Sequence, residues 1–150
     1  MAAVDELFLG VDLGTGGVRM VAVNQQGEVA AVGRASLPAE AGQPTRHEQQ
    51  PEVWWNGLAA ATARLRVELS AVGRTASSIR ALAVDGTSGT VACLDREGRP
   101  LRPALMYNDG RAEAEAATLN ETAGSFCDEV GYRFASSFAL AKILWIRERE

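Results

Sequence analysis

The sequence predicts an α/β fold with a mixed sheet, and three features support that prediction. Apolar runs separated by tight turns fill residues 7–36, which is the pattern of an antiparallel meander. From Pro51 the apolar residues recur at every third or fourth position, as they do along one face of an amphipathic helix. Short apolar runs then alternate with helical patterns, which is typical of an α/β domain.

The meander contains three predicted strands. The first is assigned as a buried strand because apolar residues dominate it and the β-branched Val11 lies inside it. The turn residues Gly14–Gly17 and Asn24–Gly27 separate it from the next two runs. The predicted strands are 7–13, 18–23 and 29–36.

Five further elements follow. The first is a long helix that begins just after Pro51, with its apolar face at Trp54, Leu58, Ala61, Leu65, Leu69 and Val72. Strands are predicted at 78–85 and 90–94, and helices at 110–119 and from 136 onward. The last helix is still apolar over 144–146 and shows no capping signal before residue 150, so we expect the element to be interrupted there.

Composition limits the class of protein. The formal net charge is −4 and apolar residues make up 47% of the chain, which suits a globular domain. No run of Lys or Arg appears, so neither a nucleic acid nor an anionic membrane is an expected partner. The two cysteines, Cys93 and Cys127, have no CxxC spacing, and this favours a reduced, cytoplasmic location.

The segment FLGVDLGTGGVRMVAV, residues 8–23, combines a strand end with a glycine turn. It contains no GxxxxGK[ST] motif, and Arg19 occupies the third glycine position of a GxGxxG motif. What remains is a strand, a glycine turn and a second strand. Glycines allow an anion to approach the backbone and expose N–H groups to it.

Charged side chains flank this turn. Asp12, at the end of the first strand, could hold Mg²⁺ through water, because Mg²⁺ prefers one or two carboxylates together with substrate phosphates. Arg19 would supply a permanent cation to a phosphoryl group. The alternative is an ordinary glycine-rich hairpin with a turn aspartate and a solvated arginine.

Two other segments carry polar residues next to turns. VDGTSGT, residues 84–90, again places small hydroxyl residues at a strand end, where ligands of open α/β sheets gather; a hairpin turn is the simpler reading. In LMYNDGRA, residues 105–112, the Asn-Asp-Gly sequence predicts a turn, but Asn108, Asp109 and Arg111 could also hold a polyhydroxylated ligand. Phosphate-binding and sugar-binding groups together suggest one class of reaction.

The chain resembles the N-terminal part of an FGGY-family carbohydrate kinase. Four segments in the same order carry the resemblance: GVDLGTGGVRMVAVNQQGEV, HEQQPEVWW, the long segment 79–112, and KILWIRE. The resemblance implies a ribonuclease-H-like (actin-like ATPase) domain with a mixed sheet and flanking helices, apparently truncated. It also implies ATP and Mg²⁺ as cofactors, a sugar as substrate, and a possible homodimer of the full-length protein.

The resemblance assigns site residues position by position. Asp12 would serve Mg²⁺ and the phosphates, and Arg19 would approach the γ-phosphate as the catalytic residue of this chain. The expected phosphate-binding residues are Asp12, Gly14, Thr15, Gly16 and Gly17. The expected sugar-binding residues are Ser88, Gly89, Asn108, Asp109 and Ser137.

The expected acceptor is a pentulose, with D-ribulose ahead of D-xylulose. VDGTSGT is similar to the D-ribulokinase-like branch and NDGR to the xylulokinase branch. Ser88-Gly89 stands where glycerol kinases carry Arg-Glu, which argues against glycerol. Ala139 and Ala141 depart from the family signature, and this weakens the placement of Ser137 in the pocket wall.

The resemblance also implies missing parts. Residues 1–150 would be the N-terminal part of the sugar- and phosphate-binding domain, with the base aspartate and the nucleotide-binding domain beyond the chain. The 150 residues alone are then expected to be inactive. The alternative is a truncated, non-catalytic homologue that binds sugar or phosphate. Lys142 is expected on a helix face, with a pairing to an acidic neighbour as the alternative.

Overall fold

A computed structural model of the chain describes residues 6–38 and 44–150. The sequence predicts the polar stretch 38–51, which contains prolines and a glycine, as the nearest thing to a linker; this stretch lies partly outside the described residues. The chain divides into two compact units. Of the described residues, unit 1 contains 6–38 and 52–87, and unit 2 contains 44–51 and 88–150.

Six strands and four α-helices form the described part of the chain. In chain order the strands are β1 (Leu7–Leu13), β2 (Gly17–Val23), β3 (Val29–Ser36), β4 (Glu48–Gln49), β5 (Ile79–Gly86) and β6 (Ala104–Leu105). The helices are α1 (Pro51–Ala71), α2 (Glu113–Thr122), α3 (Gly124–Val130) and α4 (Ala139–Arg149). Among residues 6–38 and 44–150, no helix has the length and apolar character needed to cross a bilayer.

Unit 1 is a four-stranded mixed sheet in the order β3-β2-β1-β5. The two hairpins β1–β2 and β2–β3 are antiparallel, whereas β1 and β5 are parallel. The register places Arg34, Arg19, Asp12 and Asp85 side by side across the four strands. Paired residues point to the same face of a sheet, so these charged residues share the face opposite the buried Val11 and Val18.

Helix α1 covers the other face of this sheet. Its buried residues Ala61, Leu65 and Leu69 recur at intervals of four, as the apolar periodicity predicts. Strand β3 and the helix approach so closely that a Cβ added to Gly33 would lie 2.2 Å from the carbonyl oxygen of Ala61. The close packing of α1 on the sheet therefore depends on a residue without a side chain.

Unit 2 has little regular sheet. Its two short strands β4 and β6 pair in antiparallel fashion, and single bridges join Val91 to Leu105 and Leu94 to Pro100. A small apolar cluster forms between α2 and α4. Its buried members are Ala112, Ala116 and Ala141, with Leu119, Phe134 and Trp145 packed against them.

Most of the predicted elements are confirmed. Strands β1 and β3 have the predicted bounds, and β2 and β5 differ from the prediction by one residue at one or both ends. Helix α1 is also confirmed. Helix α2 begins at Glu113 rather than at Gly110, because the Asp109 carboxylate accepts the backbone N–H of Arg111 and holds a turn there.

The prediction of a strand at 90–94 is wrong. Backbone hydrogen bonds link Val91 and Leu105 in both directions at 2.9 Å, and Leu101 donates to Cys93. The returning segment contains Pro100 and Pro103, which have no N–H to donate. A continuous ladder therefore cannot form, and the segment pairs only at isolated positions.

Candidate functional site

The glycine turn of unit 1 is the first part of the candidate site. Gly14 donates its N–H to the carbonyl oxygen of Gly17 at 3.0 Å, and Leu37 donates to the carbonyl oxygen of Gly16. The N–H groups of Thr15 and Gly16 donate to no acceptor among residues 6–38 and 44–150. The turn is thus fixed at its base while two N–H groups at its tip are available to an anion.

Asp12 and Arg19 lie beside this turn on paired positions of β1 and β2. Arg19 Nε and Asp12 Oδ2 are 3.8 Å apart, and the side chains are 68% and 50% exposed, respectively. An exposed pair at this distance contributes little to stability. Both charged groups are therefore free to exchange their partner for a ligand at small cost.

The turn opens onto a pocket of about 530 Å³ within unit 1. Three arginines contribute to its wall, namely Arg19, Arg34 and Arg64. Arg64, on α1, donates to the carbonyl oxygen of Arg34 at 2.7 Å. The full lining is Gly14, Thr15, Gly16, Gly17, Val18, Arg19, Arg34, Ala35, Ser36 and Arg64. The pocket is therefore positively charged and suited to an anion.

Arg34 and Arg64 did not emerge from the sequence as site residues. Each lies in an element whose own pattern is ordinary, Arg34 on an exposed position of β3 and Arg64 on an exposed position of α1. Only the packing of α1 across β3 brings them to the glycine turn. No local sequence signal could have identified them.

The remaining predicted residues lie in unit 2. Ser88 and Asn108 are exposed, and Ser137 is partly buried. Their segments converge, because the Lys142 ammonium donates to the carbonyl oxygens of Gly89 (2.8 Å), Tyr107 (3.1 Å) and Ser137 (2.8 Å). The structure therefore brings three of the predicted sugar-binding segments together.

Asp109 differs from the other predicted sugar-binding residues, because its side chain is fully buried. Its carboxylate accepts hydrogen bonds from the backbone N–H of His47 at 2.8 Å and from the guanidinium of Arg111 at 2.9 to 3.1 Å. Burial alone would raise the pKa of Asp109, but the bonds from the Arg111 side chain and the two backbone N–H groups outweigh it and hold the pKa below its usual value. In this arrangement the carboxylate supports the loop and is closed to a ligand.

Arg111 is likewise committed to structure. Burial alone would lower its pKa, but bonds to Asp109 and Glu48 raise the pKa above its usual value. Its guanidinium lies over the ring of Trp145 at 4.8 Å, and that of Arg102 lies 5.7 Å from the same ring. Both arginines also donate to one oxygen of Glu48, at 2.6 and 2.7 Å. The NDGR segment therefore belongs to a largely buried ion-pair network in unit 2, which also contains Glu48 and Arg102.

Comparison with known proteins gives the family. The sequence profile of the N-terminal domain of the FGGY family of carbohydrate kinases matches residues 7–150. The chain belongs to the FGGY family of carbohydrate kinases. The xylulose kinase of Escherichia coli (strain K12) is 32% identical over 144 residues, which cover 96% of this chain and 29% of that protein.

Two solved structures of bacterial sugar kinases are similar to this chain. The crystal structure of a xyloylose kinase from Brucella ovis aligns with a TM-score of 0.84 and 28% identity, over 96% of this chain and 30% of that chain. The xylulose kinase from Rhodospirillum rubrum aligns with a TM-score of 0.80 and 27% identity, over 97% and 30%, respectively. The predicted actin-like ATPase fold is therefore confirmed, and the chain spans about 30% of the length of these FGGY relatives.

Proposed function

We propose that the protein, at its natural length, transfers the γ-phosphoryl group of ATP to a hydroxyl group of a pentulose. The match of residues 7–150 to the FGGY family supports this proposal most strongly. D-Xylulose becomes the favoured acceptor, because several proteins of similar sequence are xylulose kinases. D-Ribulose, which the segment VDGTSGT favoured, is the second candidate.

The glycine turn would receive the phosphates. Phosphoryl transfer requires positioning and charge neutralisation more than covalent chemistry. The unpaired N–H groups of Thr15 and Gly16 would bind phosphate oxygens, with Gly14 and Gly17 shaping the turn. Arg19 would turn from Asp12 to the γ-phosphate, where a cation stabilises the charge that develops during transfer.

Asp12 would hold Mg²⁺, and the described residues suit that ion. Among residues 6–38 and 44–150 no group of three His, Cys, Asp or Glu side chains could enclose a metal. A half-exposed carboxylate at a strand end fits Mg²⁺, which keeps several waters and binds one or two carboxylates together with substrate phosphates. The ion would neutralise phosphate charge, and Asp12 would set its place at the end of β1.

Unit 2 would supply one wall of the sugar site. Ser88 and Asn108 present exposed polar groups, and Ser137 lies beside them through the shared contact with Lys142. Gly89 would let the loop of Ser88 pack against Ser137, because a Cβ at this position would lie 2.5 Å from the carbonyl oxygen of Ser137. Asp109, enclosed by Arg111 and the N–H of His47, would hold the loop that carries Asn108 rather than touch the sugar.

The proposal includes parts outside these 150 residues. A base that removes the proton of the sugar hydroxyl, and the adenosine site, would lie in further sequence, because the FGGY relatives are more than three times as long as the matched part. Residues 1–150 would then be the first part of the sugar- and phosphate-binding domain. We further propose a cytoplasmic location and a homodimer.

A second candidate is a short homologue that binds sugar or phosphate without turnover. The pocket at the glycine turn, with Arg19, Arg34 and Arg64 in its wall, would suit such binding of an anion. The intact mass of the protein in its source cells separates the two candidates, since a mass near 15.9 kDa supports the second.

If the natural protein is longer, an ATP-dependent phosphorylation assay with D-xylulose, D-ribulose and glycerol tests the kinase directly. We expect turnover with a pentulose and little with glycerol. Turnover with none of the three, in a protein that is shown to be folded, would remove the proposed activity.

A further inference from the structure

Lys142 is a buried lysine at the start of α4, with 0% of its surface exposed. A buried ammonium is costly unless its protons find acceptors. Its Nζ donates to the backbone carbonyl oxygens of Gly89 (2.8 Å), Tyr107 (3.1 Å) and Ser137 (2.8 Å). An ammonium has three N–H donors and no acceptor, so three carbonyl oxygens satisfy it. The sequence predicts Lys142 on a helix face or paired with an acidic neighbour. The structure instead buries its ammonium and directs it to backbone carbonyl oxygens.

The three acceptors belong to segments that are distant in sequence. Gly89 follows β5, Tyr107 follows β6 and Ser137 precedes α4, and they lie 53, 35 and 5 residues from Lys142, respectively. In the part of the chain that the structure describes, the Lys142 side chain joins all three loops at one point. The Lys142 side chain is therefore a shared anchor of the three loops.

Each of these loops carries one residue that the proposed function places at the sugar. Ser88 precedes Gly89, Asn108 follows Tyr107, and Ser137 contributes both its carbonyl oxygen to Lys142 and its hydroxyl to the proposed site. Each of the three carbonyl oxygens that Lys142 binds therefore belongs to a proposed sugar-binding residue or to its direct neighbour in the chain.

Gly89 supports the same junction independently. Its φ is +78°, a conformation that side chains disfavour. A Cβ at this position would lie 2.5 Å from the carbonyl oxygen of Ser137, which is itself bound by Lys142. The loop after β5 and the loop before α4 are therefore in direct backbone contact, and any side chain at Gly89 would force them apart.

The cationic form of Lys142 is the one that fits. A neutral amine would have two N–H donors and a lone pair directed toward a carbonyl oxygen, leaving one acceptor unpaired. Burial lowers the pKa of Lys142, while the charge of Asp109 opposes that change. Asp109 is fixed in turn by Arg111, so the buried network of unit 2 supports the charge at the junction.

We propose that Lys142 is a positioning residue of the sugar site: it holds the loops of Ser88, Asn108 and Ser137 in register through their backbone carbonyls. This proposal rests on the proposed sugar kinase function and adds to it a determinant of sugar affinity that touches neither sugar nor ATP. Loss of the junction should loosen the sugar contacts and leave the glycine turn of unit 1 intact.

The test uses the protein at its natural length with three variants. Lys142→Met removes the ammonium but keeps a side chain of similar length. Lys142→Arg keeps the charge but replaces the three converging N–H donors with a planar guanidinium. Gly89→Ala pushes the loops apart. The matched control is Arg147→Met, which removes an exposed cation from the same helix. We expect the KM for the sugar to rise roughly 10- to 100-fold in all three variants, because displaced positioning groups cost this much. The KM for ATP and the control should change less than about twofold, the spread expected for surface substitutions.

Hydrogen exchange gives a second measurement that does not depend on activity. The amides of Val91, Asp109 and Phe138 are hydrogen-bonded in the three joined segments. They should lose protection in Lys142→Met and Gly89→Ala, while the amides of β1 and β2 keep theirs. Unchanged protection in both variants would show that Lys142 does not join the loops.

The two measurements separate the possible failures. If exchange increases but the KM for the sugar stays the same in an active kinase, the junction is structural and the positioning role is wrong. If the unsubstituted protein phosphorylates no sugar, the kinase proposal fails while exchange still decides the junction. If Lys142→Met does not fold, Gly89→Ala and Lys142→Arg carry the test.

Discussion

At the residue scale, the aspartate of the segment NDGR has a side chain that suits either a sugar ligand or a structural ion pair. Asp109 has the chemistry of a sugar ligand, yet its carboxylate lies enclosed between Arg111 and the N–H of His47. The sequence could not distinguish these roles, because the partner N–H comes from a residue 62 positions away. Asn108, the exposed neighbour, is the residue of this pair that stays available to a ligand.

Asp109→Asn should destabilise the protein by about 1.5–3 kcal/mol at pH 7, the range for hydrogen bonds to charged groups. The pKa of Asp109 is lower in the folded than in the unfolded state. Its contribution is therefore complete above the unfolded pKa, near pH 4, and is lost as the pH falls through the folded value. Urea unfolding at pH 7 and at pH 3 measures both effects.

The control for this variant is Asp128→Asn. Asp128 pairs with Arg133, but both side chains are mostly exposed, so the free energy of unfolding should change by less than about 0.5 kcal/mol. Equal effects of the two substitutions would contradict a special role for the enclosed carboxylate. The difference between the variants should also be smaller at pH 3 than at pH 7, because below about pH 4 the carboxyl of the unfolded chain takes up a proton that the folded state resists.

Asp12→Asn should abolish most turnover while the fold stays intact. Asp12 is half exposed and its pairing with Arg19 is loose, so its removal costs little stability. In the protein at natural length we expect kcat to fall by about 100-fold or more, as for removal of a group that stabilises transition-state charge. Steady-state kinetics with varied Mg²⁺ measure this, and Asp128→Asn, an exposed carboxylate also paired with an arginine, should keep normal turnover. Near-normal kcat in Asp12→Asn would remove Asp12 from the mechanism.

At the element scale, periodicity predicted the long elements and failed on the short ones. β1, β3 and α1 have clear alternation or helical spacing over seven or more residues. β4 and β6 are two residues each, too short to show a period, and α3 is a seven-residue helix that begins on Gly124. Such elements exist because tertiary contacts fix them, so their own sequence carries little signal.

Gly33→Ala should destabilise unit 1. The new Cβ would meet backbone of α1 at 2.2 Å, and backbone cannot rotate away as a side chain can. We expect a loss of about 1–3 kcal/mol, the range for overpacking of a core, measured by thermal or urea unfolding.

Gly10→Ala is the matched control for this prediction. Gly10 also lies inside a strand of the same sheet, but its nearest neighbour would be the carbonyl oxygen of Val21 at 4.0 Å. There alanine should be neutral or slightly stabilising, because it restricts the unfolded chain. A similar loss in both variants would indicate that the approach of α1 is not what requires glycine at position 33.

At the scale of the whole molecule, the glycine turn of unit 1 and the polar segments of unit 2 differed in how well they could be predicted. The glycine turn, the proposed phosphate site, is contiguous, since Asp12 to Arg19 span one hairpin, and its residues stand out in the sequence. The proposed sugar-binding segments are joined by Lys142 over as many as 53 residues. Local patterns marked residues 84–90 and 105–112 separately, whereas only the family resemblance joined them and added Ser137. The class of fold followed from the order of elements, whereas the division into two units did not.

The 150-residue chain by itself should associate with itself through β5. This strand pairs with β1 on one side, and Leu82 and Val84 are 64% and 66% exposed. An open apolar strand at a sheet edge favours edge-to-edge pairing. We expect a concentration-dependent rise in sedimentation coefficient that Leu82→Lys suppresses and Val67→Lys, on the exposed face of α1, does not. A chain that stays monomeric at high concentration would contradict this.

The position of β1 between an antiparallel and a parallel neighbour has a consequence for synthesis on the ribosome. Its hairpin with β2 involves residues close in sequence and can form as soon as Val23 has emerged. Its pairing with β5 can form only after α1 and residues 79–86 have been synthesised. This pairing also carries the entropic cost of closing a long loop. The strand that carries Asp12 therefore acquires one partner early and the other late, and in the interval its second edge is open to chaperones.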